Sequence, residues 1–489
     1  MLRFTSQVEN LVEYHMRRFA FVAGIIILLL IAFIVLVGPW PTVVSERRAV
    51  NRPLERGLTK IEATRWPIAE GESLLAEWAT VPLELPEGTP LAGYGARRGE
   101  PATGYHDRLE VGALVLGTGS ATGEAVARVA IIASDLLVVT PRIADDVRSR
   151  VGIPILFTAS HTHSGPGAAM PGLIGRAFGG AYRADVERAI TDTMAAAVTA
   201  MLERAGQGLR PVRVSHGTVA VAQLIRNRAR EQTAGYPPVD AMLDLISFED
   251  DLGGRLSLVR FSAHPTIIGA SNLEFSAGYP GFLRDAVVEL AGGDAFFLPG
   301  AMGSMSPRAP EGSAGFERAR EYARLLAEAL PADPRVIEVG ELGVADAAPR
   351  APPLQLRVAP RLRVSPIFLR LNGIRREARI TIVRLGPLVF AGFPGDLSGE
   401  LGADLRARAA ERGATLLPLS FSGAYLGYIS PDAYYDELYD GSSLAYETGI
   451  MSWTGPGQER FFSSLAYAAL PALGFAQEPR LDLHTFQAK

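Results

Sequence analysis

The chain has no cysteine. That excludes disulfides, thiolate metal sites and a cysteine nucleophile. Histidine is scarce, with seven in 489 residues, so any clustering of imidazoles carries weight. Neither sign of charge dominates: 48 basic against 52 acidic residues leave a net charge of -4. There is thus no electrostatic footprint for nucleic acid. Familiar catalytic signatures are missing as well. No His-Glu-x-x-His helix, no Gly-x-Ser-x-Gly elbow and no Gly-x-Gly-x-x-Gly run joining strand to helix occurs. Internal repeats and low-complexity tracts are also absent.

Long apolar runs are limited to one, Phe19 to Gly38, 20 residues without interruption. That is just enough to cross a bilayer. Arg17 and Arg18 precede it, and Gly38-Pro-Trp-Pro-Thr-Val-Val44 lacks a small-x-small cleavage site. We therefore expect a retained anchor over 19–40, with Trp40 at the interface and 1–18 as a short cytoplasmic segment. The soluble part would then lie outside the cytoplasm, on the periplasmic or extracellular face. Arg47, Arg48, Arg52 and Arg56 on the other flank weaken the charge bias behind that orientation. The charged segment 41–78 reads as a linker or stalk, and 79–489 as one large domain.

What is present is an alternation of strand-like and helix-like segments. Strands are expected at Leu109–Leu116, Ala127–Ser134, Ile153–Ala159, Leu256–Ser262, Ala295–Leu298, Ala378–Leu385, Leu388–Phe393 and Thr415–Phe421. Helices are expected at Arg183–Arg204, Gly281–Leu290, Phe316–Ala329 and Ser398–Arg412. The fold class is α/β, with mixed β-sheets flanked by helices. The Pro-rich stretch Ala348–Pro353 reads as a crossing inside the domain.

The densest chemistry is the run Ser-His-Thr-His-Ser-Gly-Pro-Gly at Ser160–Gly167, just past an apolar strand. If that strand continues, His161 and His163 point to one face. Zinc takes neutral imidazole, and a catalytic zinc keeps three protein ligands and an open position. Other competent residues also follow apolar strands: His264, Ser304 and Ser306, Asp396, and Tyr425 with Tyr428. Ligands in α/β sheets gather at the carboxyl ends of strands. Each residue has a plainer reading: a core histidine, a turn serine before Pro307, a helix N-cap at Asp396, packed tyrosines. Together they supply the imidazole, carboxylate, phenol and hydroxyl of a zinc hydrolase site.

These motifs resemble one family, the neutral (non-lysosomal) ceramidases, over about Pro90 to Gly455. Ser160-His-Thr-His-Ser-Gly-Pro166 is similar to its Thr-His-Thr-His-Ser-Gly-Pro signature. Gly93-Tyr-Gly95, His106-Asp-Arg-Leu109, Asn227-Arg228, Ala263-His-Pro265, Tyr425-Leu-Gly-Tyr-Ile-Ser430 and Tyr439-Asp-Gly-Ser-Ser443 follow in the family's order. Gly303-Ser-Met-Ser-Pro307 stands where the family has Gly-Asp-Val-Ser-Pro, and Pro394-Gly-Asp396 where it has Pro-Gly-Glu. The resemblance implies one Zn2+ per chain, held by His161, His264, Asp396 and Tyr428. It implies that His163 sits beside the metal and contacts the substrate amide or stabilises the transition state, and that Ser306 is the active-site serine. Arg228 and Tyr439 would hold the substrate's polar head or oxyanion. The implied activity is cleavage of the N-acyl amide of ceramide or a related membrane lipid.

Two residues depart from the family pattern, Asp396 for Glu and Ser304 for Asp, and the length after Gly455 leads us to expect no counterpart of the family's C-terminal immunoglobulin-like domain in this sequence. The loop Ser164–Ala181, with Met170, Leu173, Ile174 and Phe178 among glycines, reads as an apolar lip suited to a lipid tail. Two other functions fit the same residues: an N-acyltransferase running the reverse reaction, and a non-catalytic lipid-binding protein. Nothing in the sequence sets the oligomeric state.

Overall fold

The computed structural model describes residues 2–43, 50–119, 125–228, 238–359, 361–435 and 446–476. Helix α1 spans Leu2–Leu36, and within it Tyr14–Leu36 is long and apolar enough to cross a membrane. Those 23 residues rise about 35 Å, and their apolar side chains lie exposed. The segment expected as an anchor, 19–40, lies on this helix as far as Leu36.

Two sheets build the body. The larger takes β2 (Ser73–Pro82), β3 (Glu110–Gly119), β4 (Val126–Ser134), β5 (Ile155–Ala159), β6 (Arg210–Ala220), β7 (Met242–Asp250), β8 (Arg255–Phe261), β9 (Asp294–Pro299) and β10 (Arg335–Ile337). Its order is β9-β8-β7-β6-β2-β3-β4-β5, with β10 also on β6. The smaller has the order β1 (Glu62–Pro67), β11 (Glu341–Ala347), β12 (Ile380–Leu385), β13 (Leu388–Gly392), β14 (Thr415–Leu419). Most pairs are antiparallel, but β4/β5, β8/β9 and β13/β14 are parallel.

The sheets pack face to face. Leu114, Leu116, Ile131, Phe248 and Phe296 of the larger meet Val344, Val383, Phe390 and Leu417 of the smaller. Because strand side chains alternate, Val111, Ala113 and Val115 of β3 face the other way. There they meet α3 (Pro141–Val151), α5 (Ala184–Gly208), α6 (Gly278–Ala291) and α7 (Gly315–Glu328). The outer face of the smaller sheet is covered by α2 (Arg52–Leu58), α9 (Gly399–Ala410) and α10 (Gln458–Ala472). The result is four layers, helices, sheet, sheet, helices, with both sheets buried on both faces. All eight expected strands and four expected helices are present, with ends shifted by a few residues.

The stalk expected over 41–78 is not one. From residue 50 onward it is part of the folded body. Leu54 of α2 packs beside Phe461 and Leu465 of α10, β1 pairs with β11, and β2 lies mid-sheet. The charges of α2 face outward and mask its one buried leucine. In β2, Leu74, Leu75 and Ala76 are buried on both faces, an apolar cluster whose periodicity does not separate strand from helix.

The crossing at Ala348–Pro353 opens a long excursion between β11 and β12. It carries the short pair Arg357–Ala359 and Leu362–Arg363, then α8 (Pro366–Leu371). Ser365 fastens this excursion to the foot of α1: its N–H donates to Val37 O and its hydroxyl to Val35 O, both at 2.9 Å. Leu362–Arg363 also pairs with Trp40–Pro41.

Candidate metal centre and active site

The parallel strand pairs bring several strand ends to one place. Past β5 lie His161 and His163, past β8 His264, past β13 Asp396, and past β14 Tyr425 and Tyr428. The His161–His163 pair does not converge by strand alternation. β5 ends at Ala159, and His161 takes a left-handed backbone, φ +61°. The turn, not a pleat, aims both rings inward.

One ligand atom of each of His161, His163 and His264 lies within 4.8 Å of the others. Nδ1 of His161 sits 2.7 Å from Leu137 O, and Nδ1 of His264 sits 2.7 Å from Met302 O. A carbonyl only accepts, so each Nδ1 carries the proton and each Nε2 keeps a free lone pair. Both Nε2 atoms face Asp396 Oδ1, at 3.7 Å from His161 and 3.4 Å from His264. Yet both Asp396 oxygens are buried without a hydrogen-bond partner. The Tyr428 hydroxyl lies 3.4 Å from His264 Nε2, and parallel pairing sets Tyr428 opposite Asp396. A buried carboxylate facing two imidazole lone pairs lacks a cation, so the donor set fits a metal ion. Asp396 is not the helix cap: Ser398 is, accepting from Leu401 N.

Burial pushes the His161 pKa down to about 3 against the opposing pull of Asp396, keeping the ring neutral as ligation requires. His163 is driven well below the ordinary imidazole value by burial and by the two neighbouring rings. Both its ring nitrogens are buried and unpartnered. A side chain at Gly93 would stand 2.7 Å from His163 Nδ1, so that glycine, φ +99°, makes room for the ring.

Arg228 ties the next ring of residues together. It donates to Tyr428 Oη (2.8 Å), Glu447 Oε1 (2.7 Å) and Gly303 O (2.6 Å). Burial lowers its pKa, but Tyr428 and Glu447 outweigh that and raise it. Tyr428 is lifted well above 10, burial prevailing over Arg228, so the phenol stays protonated in the metal-free site. Ser306 is half-buried on the ribbon Met305–Pro307, paired with Ile225–Asn227. Its neighbour Met305 accepts from the His264 N–H. Tyr439 lies outside the described residues. His106 stacks on Phe316 at 3.6 Å, and Asp107 accepts from Ala277 N, contacts that hold α6 and α7.

Three contributors had no sequence signal. Phe421, φ +59°, stacks on His161 with ring centres 3.9 Å apart. Glu447 balances Arg228. Glu400, buried in the first turn of α9, accepts from Ser304 Oγ (2.6 Å), Tyr434 Oη (2.9 Å) and Asn227 Nδ2. The carboxylate that Ser304 lacks thus arrives from Glu400. The substitution Ser304→Asp should therefore set two buried carboxylates together and cost about 1–3 kcal/mol. Glu400→Ala should cancel most of that cost in the double variant. A denaturation double-mutant cycle measures the coupling, and additive losses would refute it.

The centre opens into a pocket walled by Met170, Ile174 and Phe178 as well as Tyr425, Tyr446 and Trp453. The expected lip is thus apolar, and part of it is α4 (Gly172–Gly179). Leu173 points away and is exposed. A second cavity shares Leu137, Val138, Met170 and Phe178 with the first.

Two packed mixed sheets, with histidines and a carboxylate at the parallel strand ends, define an α/β protein built around a candidate metal centre. The fold is that of the neutral ceramidases. The chain superposes on the neutral ceramidase from Pseudomonas aeruginosa with a TM-score of 0.65 and 19% identity, covering 82% of this chain and 74% of that one. A ceramidase complexed with C2 gives 0.65 and 18%, covering 84% and 78%. No protein-family model and no curated protein matches the chain.

Proposed function

We propose that the chain is a membrane-anchored, zinc-dependent amidohydrolase. Its reaction would cleave the N-acyl amide of ceramide or a related N-acyl lipid to fatty acid and free amine. The unpartnered Asp396 carboxylate facing the Nε2 atoms of His161 and His264 carries this reading. In it, His161, His264, Asp396 and Tyr428 hold the metal. Bound there, zinc supplies Lewis acidity toward an amide carbonyl or a water molecule. His163, neutral and with both nitrogens free, takes a proton from the attacking hydroxyl or water and passes it to the leaving nitrogen. Ser306 is the active-site serine. Arg228 steadies Tyr428 and, with Tyr439, holds the polar head or the developing oxyanion.

The paired apolar cavities suit an acyl chain. The lip is also tied to the membrane end of the molecule. Asn372 Oδ1, just past α8, accepts from Leu173 N of α4 (2.9 Å), and Ile174 packs on the buried cluster that includes Leu369 of α8. Helix α8 in turn sits on α1. In this reading α1 spans the bilayer and the catalytic body stands on the periplasmic or extracellular face, so substrate is drawn from the adjoining leaflet.

Purified full-length chain in detergent should contain about one zinc and release fatty acid from an N-acyl sphingoid lipid. Chelation should stop release, and added zinc should restore it. Full turnover by metal-free protein, or no release by zinc-loaded protein, would overturn the proposal.

A further inference from the structure

We propose that the surface beside the foot of α1 is a docking site for anionic phospholipid headgroups of the leaflet that α1 enters. This rests on reading α1 as a membrane span and goes beyond the amidase assignment. Two adjoining depressions, away from the metal centre, share Lys60, Arg350 and Arg376. Arg52 and Arg56 of α2 complete the first, and Arg370 of α8 lines the second.

Five of these six cations are exposed, and among the described residues none of the five forms an ion pair. Arg375 and Glu377 also line the second depression, and there Arg375 is neutralised by Glu377 and by Asp145. Arg376 is half-buried and spends its donors on the carbonyls of Ala351 and Pro352. Its like-charged neighbours are Arg350, Arg370 and Arg363. Burial and then these like charges push its pKa down to about 10. Such a concentration of unneutralised cations is unfavourable by itself and calls for an anion.

The location selects the anion. Arg370 lies about 8 Å along α8 from Ser365, the residue hydrogen-bonded to Val35 and Val37 of α1. Leu371, beside it, is 76% exposed. A cation cluster next to the end of a membrane helix, with an exposed leucine at its edge, matches the headgroup layer over the acyl boundary. A free phosphate would satisfy the charge but leave Leu371 and the nearness of α1 unexplained.

The test uses the full-length chain in neutral detergent, titrated calorimetrically with dihexanoyl-phosphatidylglycerol, dihexanoyl-phosphatidylcholine and inorganic phosphate. At low salt the phosphatidylglycerol should bind at least about tenfold tighter than the other two, and added salt should erase the difference. The pair Arg350→Glu with Arg370→Glu should abolish the preference. Arg52→Glu with Lys60→Glu, on the other wall, should do the same. If one pair perturbs unfolding, the other decides. Equal binding of both lipids, or phosphatidylglycerol binding unchanged in a folded charge-reversed pair, would overturn the proposal. Phosphate binding as tight as phosphatidylglycerol would overturn the lipid assignment. Fatty-acid release from a micellar substrate should be unchanged in the variants, so loss of lipid binding and failure of the amidase reading are seen separately.

Discussion

On the proposed amidase reading, Asp396→Ala should abolish zinc binding, and with it amide hydrolysis, without destabilising the metal-free protein. Removing a residue that merely supports a metal ligand typically costs 10–100-fold in affinity or activity. Asp396 faces two candidate ligands directly, so its loss should exceed about 100-fold in both. The stability expectation runs the other way. Its carboxylate is fully buried, both oxygens lack hydrogen bonds, and His161 beside it is neutral near pH 7. An ionised group so placed opposes folding until a cation arrives. Metal-free Asp396→Ala should therefore melt no lower than metal-free parent. The parent should gain about 4 kcal/mol when zinc stands about 1,000-fold above its dissociation constant, and the variant should gain almost nothing. Thermal unfolding with and without zinc, beside metal analysis, reads all three quantities. A metal-free variant that melts well below the parent, or still tightens with zinc, would mean that Asp396 is structural.

The same residue shows what the sequence could disclose. The Glu-to-Asp difference from the ceramidase pattern raised the question whether a shorter ligand still reaches the centre. Pairing of Asp396 with Tyr428 sets that reach, and Oδ1 stands within 3.7 Å of both imidazoles. Positions at the ends of apolar strands were legible because parallel strands buried on both faces leave a clear hydrophobic run followed by polar residues. Partners that complete the site were not. Glu447 is remote in sequence from Arg228, and Glu400 reads as an ordinary first-turn acid near a helix N-terminus. Strand β6, with half-buried polar side chains and only Val214 fully covered among its inner positions, has too mixed a pattern to separate from loop. The turn at His161 depends on a backbone conformation that histidine seldom adopts, so pleat reasoning reached the right neighbourhood through the wrong geometry.

The largest stability effect is expected from Arg260→Met, outside the metal centre. Arg260 is fully buried on β8. It donates to Asp240, to Asp244 Oδ2 at 3.0 Å and to Pro418 O of β14 at 3.0 Å. Arg406 of α9 and His216 of β6 also meet Asp244, and Asp240 N donates to Gly399 O at the start of α9. One guanidinium thus joins the larger sheet to the smaller one, four residues before His264 and close to the helix that follows Asp396. Removing it leaves buried carboxylates with Arg406 as their remaining guanidinium, a loss of about 3–5 kcal/mol. Burial would raise the Asp244 pKa, but His216, Arg406 and Arg260 outweigh it and hold it far below the usual carboxylate range. A depressed carboxylate contributes stability that is present above about pH 4 and lost as pH falls toward the folded value. Arg260→Met should therefore raise the pH at which acid unfolds the protein as well as lower its denaturant midpoint. Adding Asp240→Asn should recover part of the loss by removing the charge left uncompensated. Zinc affinity should fall in Arg260→Met and recover with the same second change, because the network sets the spacing between His264 and Asp396. A stability change below about 1 kcal/mol, or a double variant no better than the single one, would show that the two sheets hold their register without this ion network.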